Sequence, residues 1–195
     1  MLASMRVTRC VIFLAFVVIT AACARETLVG TDLGSQPAPD FTLTDGATGA
    51  PVSLSSLRGS VVALAFLYTR CPDVCPLTAE QFRQTQSALG TDARVRFVAV
   101  SVDPEGDTPA NVRDFSASHG LDRNWSYLIG PRSVLTPVWS AYGIRTEPDP
   151  SGAGVGHTDA IYLIDRRGRA RVLLHTVDGV DALTKDIRLL LREGE

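Results

Sequence analysis

Apolar and polar positions alternate over Phe41-Thr42-Leu43-Thr44, the pattern of a half-buried strand. Turn residues follow at Asp45-Gly46 and Thr48-Gly49, and Pro51 to Leu57 returns, so a β-hairpin is expected near the start of the folded part. Val61 to Leu67 (VVALAFL) is an unbroken apolar run rich in β-formers, as in a strand covered on both faces. Pro76 to about Leu89 reads as a helix, with Pro76 suited to the first turn and Gly90 to the stop. Arg94 to Val102 reads as a second strand, broken by Asp103-Pro104. A helix from Pro109 to about His119 follows, with Asp107 or Thr108 as its cap. A short strand at Ser126 to Ile129 and a helix at Val134 to Tyr142 come next. Beyond the Gly/Pro-rich loop Asp149 to Gly156, Ala160 to Ile164 is a third strong strand. Arg166-Arg167-Gly168 turns the chain into a returning strand, Ala170 to His175, and Val180 to Leu191 is a terminal helix.

Strands separated by helices predict an α/β fold: a parallel or mixed sheet flanked by helices, with the N-terminal hairpin attached. Sites in such sheets form at the carboxyl ends of strands. Cys71 falls just past one strand end and Asp103 at another. His157 falls just before a strand, and an antiparallel course of that strand would bring it to the same rim.

The first residues have a different character. Arg6 and Arg9 precede the apolar run Val11 to Ile19, and Thr20-Ala21-Ala22-Cys23 supplies small residues before a cysteine. That order is an export signal, and its apolar stretch is short for a membrane span of ~20 residues. The segment resembles a bacterial lipoprotein signal, in which Cys23 would be lipidated, although Thr20 stands where leucine is usual. An uncleaved anchor and a plain cleaved signal are the other readings. The expected organisation is a signal over 1–22, a tether over 23–36 and one domain over 37–195. Cleavage before Cys23 would discard Cys10 and leave Cys71 and Cys75 in the domain. The 195-residue length suits one domain, and a formal net charge of −2 with no basic patch excludes a nucleic-acid binder.

Cys71-Pro72-Asp73-Val74-Cys75 is the strongest chemical signal. On one helix the two sulfurs would share a face, with Cβ atoms ~5–6 Å apart. That is wide for a relaxed disulfide and comfortable for two thiolates around one metal. A helix N-terminus also favours thiolate, the species that binds metal or attacks a disulfide. Two thiolates make an incomplete shell. Of the three histidines, His119 falls at a helix end, His175 at a strand end, and His157 at the end of a glycine-rich loop, which favours His157. Two soft sulfurs and one imidazole suit Cu(I), and with no fourth protein ligand evident they favour copper over zinc.

At these residues the sequence resembles the Sco/SenC family of copper chaperones for the CuA centre of cytochrome c oxidase. The likeness runs from about Phe41 to the C-terminus. It is carried by Tyr68-Thr69-Arg70-Cys71-Pro72-Asp73-Val74-Cys75-Pro76, by Ser101 to Pro109 (SVDPEGDTP), and by His157 to Asp165 (HTDAIYLID). The resemblance implies a thioredoxin-like fold and a copper site of Cys71, Cys75 and His157, holding Cu(I) or Cu(II). Asp103 would then be either a group near the metal or a turn residue beside Pro104. The implied protein is a metallochaperone rather than an enzyme, tethered to the bacterial cell membrane on its extracytoplasmic face. Its implied partner is the CuA-bearing oxidase subunit or another copper protein.

Two other readings use the same residues. In a thiol–disulfide oxidoreductase Cys71 and Cys75 would be a redox pair. Against it stand three intervening residues instead of two, and the absence of a proline in Gly156 to Asp159. In a peroxiredoxin-like peroxidase, which Pro39 to Leu43 also resembles, Thr69 and Arg70 would have to support a peroxidatic thiolate.

Overall fold

The structure, a computed structural model, describes residues 27–195 apart from 91, 93, 122, 149–153, 194 and 195. The signal and Cys23 lie outside the described residues. Among those described, no helix is long and apolar enough to cross a membrane.

The elements follow in the order β1 (Thr31–Pro37), β2 (Thr42–Asp45), β3 (Pro51–Ser53), β4 (Val61–Leu67) and α1 (Val74–Leu89). Then come β5 (Val95–Ser101), α2 (Pro109–Ser118), β6 (Trp125–Ile129), α3 (Arg132–Ala141), β7 (Thr146–Pro148) and β8 (Val155–His157). The chain closes with β9 (Ile161–Ile164), β10 (Arg169–Leu174) and α4 (Gly179–Arg192). Eight strands form one sheet in the order β1-β10-β9-β4-β5-β6-β2-β3, while β7 and β8 pair separately. β4–β5 and β5–β6 are parallel, and β9 runs antiparallel to β4. The sheet is therefore mixed and flanked by helices, as the sequence pattern required, with β2 and β3 as the expected hairpin.

Every residue of β4 is buried, which explains its unbroken apolar run. On one face, Phe82 of α1 meets Phe97 and Trp125, and Phe115 of α2 meets Tyr127. On the other, Phe66 of β4 packs against Tyr142, at the end of α3, and Tyr162 of β9. Burying each such side chain contributes roughly 1.5–3 kcal/mol relative to leaving it exposed. α4 packs beside α1.

Three expectations are corrected. Residues 31–36, expected as tether, belong to β1, which pairs antiparallel with β10. This edge strand is almost wholly exposed, so it carries no alternation to read. It is secured by backbone pairing and by the buried Asp186 of α4, whose carboxylate accepts the Val29 and Gly30 N–H groups at 2.8 and 3.0 Å. Second, α1 begins at Val74, two residues before the expected start at Pro76; it takes in Cys75 and leaves Cys71 in the preceding loop, so the two cysteines do not share a helical face. Third, the expected loop Asp149 to Gly156 is flanked by two short paired strands, β7 before it and β8 overlapping its end, and Thr146 pairs with His157 across them.

Candidate metal centre

β4 ends at Leu67, and a short loop carries Tyr68 to Cys71 across the rim before α1 begins. Cys71 is half-buried, Cys75 is fully buried in the first turn of α1, and neither is in a disulfide. The backbone N–H of Cys75 donates to the Cys71 sulfur at 3.4 Å. First-turn N–H groups have no partner within the helix, so they are free to bind an anion.

These contacts divide the protons unequally. The Cys71 thiol is lowered to about 5, chiefly because the Cys75 side chain donates to it. The Asp73 and Cys75 N–H groups and the Tyr68 hydroxyl add to that, against an opposing effect of burial. Cys75 is pushed well above the ordinary thiol range, first by its bond to Cys71 and then by burial. The buried Tyr68 hydroxyl is raised to about 12 by burial and by its bond to Cys71. Both shifts favour the anion on Cys71 and keep the proton on Cys75.

His157 arrives from the opposite side. Because β9 runs antiparallel to β4, the residues before β9 return to the rim where β4 ends. Thr158 N–H donates to the Arg145 carbonyl and its hydroxyl accepts the Arg145 N–H, both at 3.1 Å. His157 Nδ1 lies 2.9 Å from the Thr158 carbonyl, which can only accept, so Nδ1 carries the proton. Nε2 then presents its lone pair, 3.7 Å from the Cys75 sulfur. The Tyr68 ring stands edge-on to the imidazole, with centroids 5.9 Å apart. Farther along, the Asp159 carboxylate accepts the N–H and hydroxyl of Thr176, each at 2.9 Å. The Thr176 hydroxyl meets that of Thr78 on α1 at 2.7 Å, so the histidine segment is tied to the cysteine helix.

The structure therefore brings Cys71, Cys75 and His157 to one rim. Among the described residues no three His, Cys, Asp or Glu side chains are already closed around a metal-sized point. The donor set, two sulfurs and one imidazole nitrogen, is that of a soft ion. His119 is engaged elsewhere, against Phe115 with ring centroids 4.5 Å apart, and His175 Nδ1 donates to the Asp159 carbonyl at 2.7 Å. Asp103 is buried and accepts from Arg70 Nη2 at 2.8 Å and from the Gly106 N–H at 3.1 Å. It touches the neighbour of Cys71 rather than a sulfur.

Thr69 and Arg70, which a peroxidase would need at its thiolate, both turn to acids. Arg70 pairs with Asp103, and Thr69 donates from N–H and hydroxyl to Asp107 at 2.8 and 2.7 Å. Asp107 itself was anticipated only as a possible cap of α2. Thr108 caps that helix, accepting the Asn111 N–H, and Asp107 turns inward. Two capping residues side by side were the sequence signal that one of them had other work.

Comparison with known proteins places the chain in a family. The SCO1/SenC family model matches residues 30–192. The SCO1 protein homolog of Bacillus subtilis is 37% identical over 137 residues, which is 68% of this chain and 69% of that protein. The copper-bound structure of Bradyrhizobium japonicum ScoI is 32% identical with a TM-score of 0.69, covering 78% of this chain and 98% of that one. A SCO1/SenC family lipoprotein from Bacillus anthracis is 26% identical with a TM-score of 0.74, covering 87% of this chain and all of that one (100%). A match of this extent, on a thioredoxin-like frame with two cysteines and a histidine at its rim, makes the chain a member of the SCO1/SenC family.

Proposed function

We propose that this chain is a membrane-anchored copper metallochaperone that takes up copper through Cys71, Cys75 and His157 and helps to metallate the CuA site of cytochrome c oxidase. The observation that carries the proposal is His157 Nε2 standing 3.7 Å from the Cys75 sulfur, beside a Cys71 sulfur that accepts the Cys75 N–H at 3.4 Å. Relatives that bind copper, and the soft donor set, support copper as cargo, taken as Cu(I), with Cu(II) as the other state the ligands admit. Cys75 must lose its proton on loading, so uptake releases a proton. Asp103 acts from behind, through Arg70. A three-ligand site leaves room for a ligand from the recipient. The anchor is a lipid on Cys23, which sets the domain on the extracytoplasmic face of the bacterial cell membrane. The anthracis relative, itself a lipoprotein, supports this.

The unequal protons of Cys71 and Cys75 support a second reading, a thiol–disulfide oxidoreductase acting on cysteines of an exported partner. The Cys71 thiolate would attack the partner disulfide and Cys75 would resolve the mixed disulfide. The two readings part in cells lacking this protein, complemented with His157→Ala. CuA content of purified oxidase stays low if copper delivery is the function, and is restored if thiol exchange alone is needed.

A further inference from the structure

Asp107 is 3% exposed, and its carboxylate accepts four hydrogen bonds. Oδ1 takes the N–H and hydroxyl of Thr69 at 2.8 and 2.7 Å. Oδ2 takes the Ser101 hydroxyl at 2.6 Å and the Tyr127 hydroxyl at 2.9 Å. The donors come from three places: the loop leading to Cys71, the last residue of β5, and the middle of β6. All four acceptor positions of the carboxylate are used. A buried acid is costly unless its bonds are complete, and α2 does not need this one, since Thr108 serves as cap. What the acid does hold is Thr69, gripped by backbone and side chain together, two residues before Cys71. The other side-chain tether of that loop, Arg70 to Asp103, uses an arginine side chain that is 58% exposed.

We infer that Asp107 is the positioning residue of the metal centre: it fixes the Tyr68–Cys71 turn from inside the fold, so that the Cys71 sulfur meets the Cys75 N–H and the Cys75 sulfur stays buried beside His157. The inference rests on the proposed copper site and adds the residue that shapes it. Without the grip on Thr69, the loop is free to lift, taking Cys71 away and uncovering Cys75. Asparagine at this position keeps one oxygen for the Thr69 N–H, which can only donate. Its amide N–H groups can face the Ser101 and Tyr127 hydroxyls, which can turn to accept. Asp107→Asn is therefore a conservative rescue and Asp107→Ala a full loss.

The test has two readouts on the folded protein, with far-UV circular dichroism and a urea midpoint verifying the fold. The first is anaerobic Cu(I) affinity by chelator competition. Residues that orient metal ligands typically change affinity by about 10–100-fold, and a loss of at least about tenfold is expected for Asp107→Ala, with most of it restored in Asp107→Asn. The second needs no copper: native-state alkylation followed by mass spectrometry. Wild type should label quickly at Cys71 only, Asp107→Ala at both cysteines, and Asp107→Asn again at Cys71 only. If Asp107→Ala does not fold, Thr69→Val removes the Oγ1 bond from the other end and Thr69→Ser keeps it, with the same two outcomes expected. Wild-type affinity together with a protected Cys75 in a folded Asp107→Ala or Thr69→Val protein overturns the inference. A wild type that binds no Cu(I) instead overturns the copper reading, and alkylation still decides whether Asp107 holds the loop.

Discussion

The Cys75 backbone N–H points at the Cys71 sulfur from 3.4 Å, so the first turn of α1 stabilises an anion on a residue that lies outside the helix. The bond from the Cys75 side chain is the larger cause and this N–H adds to it, so the two cysteines differ chemically although they stand four positions apart.

That difference has a pH signature. Cys71 is lowered to about 5, so its thiolate persists above that pH and is lost as pH falls through it. Alkylation of Cys71 by iodoacetamide should have its midpoint near pH 5 rather than near the ordinary thiol value of about 8.5. Cys75, pushed up, should stay unreactive across the same range. Because loading takes a proton from Cys75, apparent Cu(I) affinity should rise with pH between about 5 and 8. A Cys71 midpoint near 8.5 would show that neither the Cys75 side chain nor the helix start acts on it.

The Asp186 clamp predicts a stability effect remote from the metal centre. Its side chain is buried in α4 and accepts two backbone N–H groups, those of Val29 and Gly30. Asp186→Ala leaves both donors without their partner, at a cost of about 1–3 kcal/mol. Urea denaturation measures the loss, and amide exchange should quicken first at Val29 and Gly30. Unchanged exchange there would mean that β1 is held by its pairing with β10 alone.

Much of this fold could be read from one sequence because burial leaves a pattern. β4 is buried throughout and reads as an apolar run, while Leu43 alternates with the exposed Thr42 and Thr44. The strand β1 left no such pattern, since nearly all its residues face solvent and its anchor, Asp186, lies more than a hundred and fifty positions away. The start of α1 was misplaced because Pro76 suits any position in the first turn. Position before an antiparallel strand favoured His157 modestly among the three histidines, and the family motifs singled it out as the partner of Cys71 and Cys75. Asp107 was only half legible: the adjacent caps Asp107 and Thr108 left one of them spare, but nothing in SVDPEGDTP says what the spare acid holds.

Gly106 permits the Arg70–Asp103 pair to form. A Cβ at this position would collide with the Asp103 carboxylate and the Arg70 guanidinium. Gly106→Ala should therefore break the pair, and its effect on stability should be less than additive with that of Arg70→Ala. A coupling of at least about 0.5 kcal/mol in a double-mutant cycle is expected. Strict additivity would show that the glycine and the ion pair are independent.

Anaerobic Cu(I) titration against a competing chelator bears most directly on the three-residue site. Wild type should bind one equivalent. Cys71→Ser, Cys75→Ser and His157→Ala should each bind at least about tenfold more weakly while keeping the wild-type circular dichroism spectrum. Equal affinity in wild type and a folded His157→Ala would remove the imidazole from the metal centre, and with it the case for a copper-delivery site.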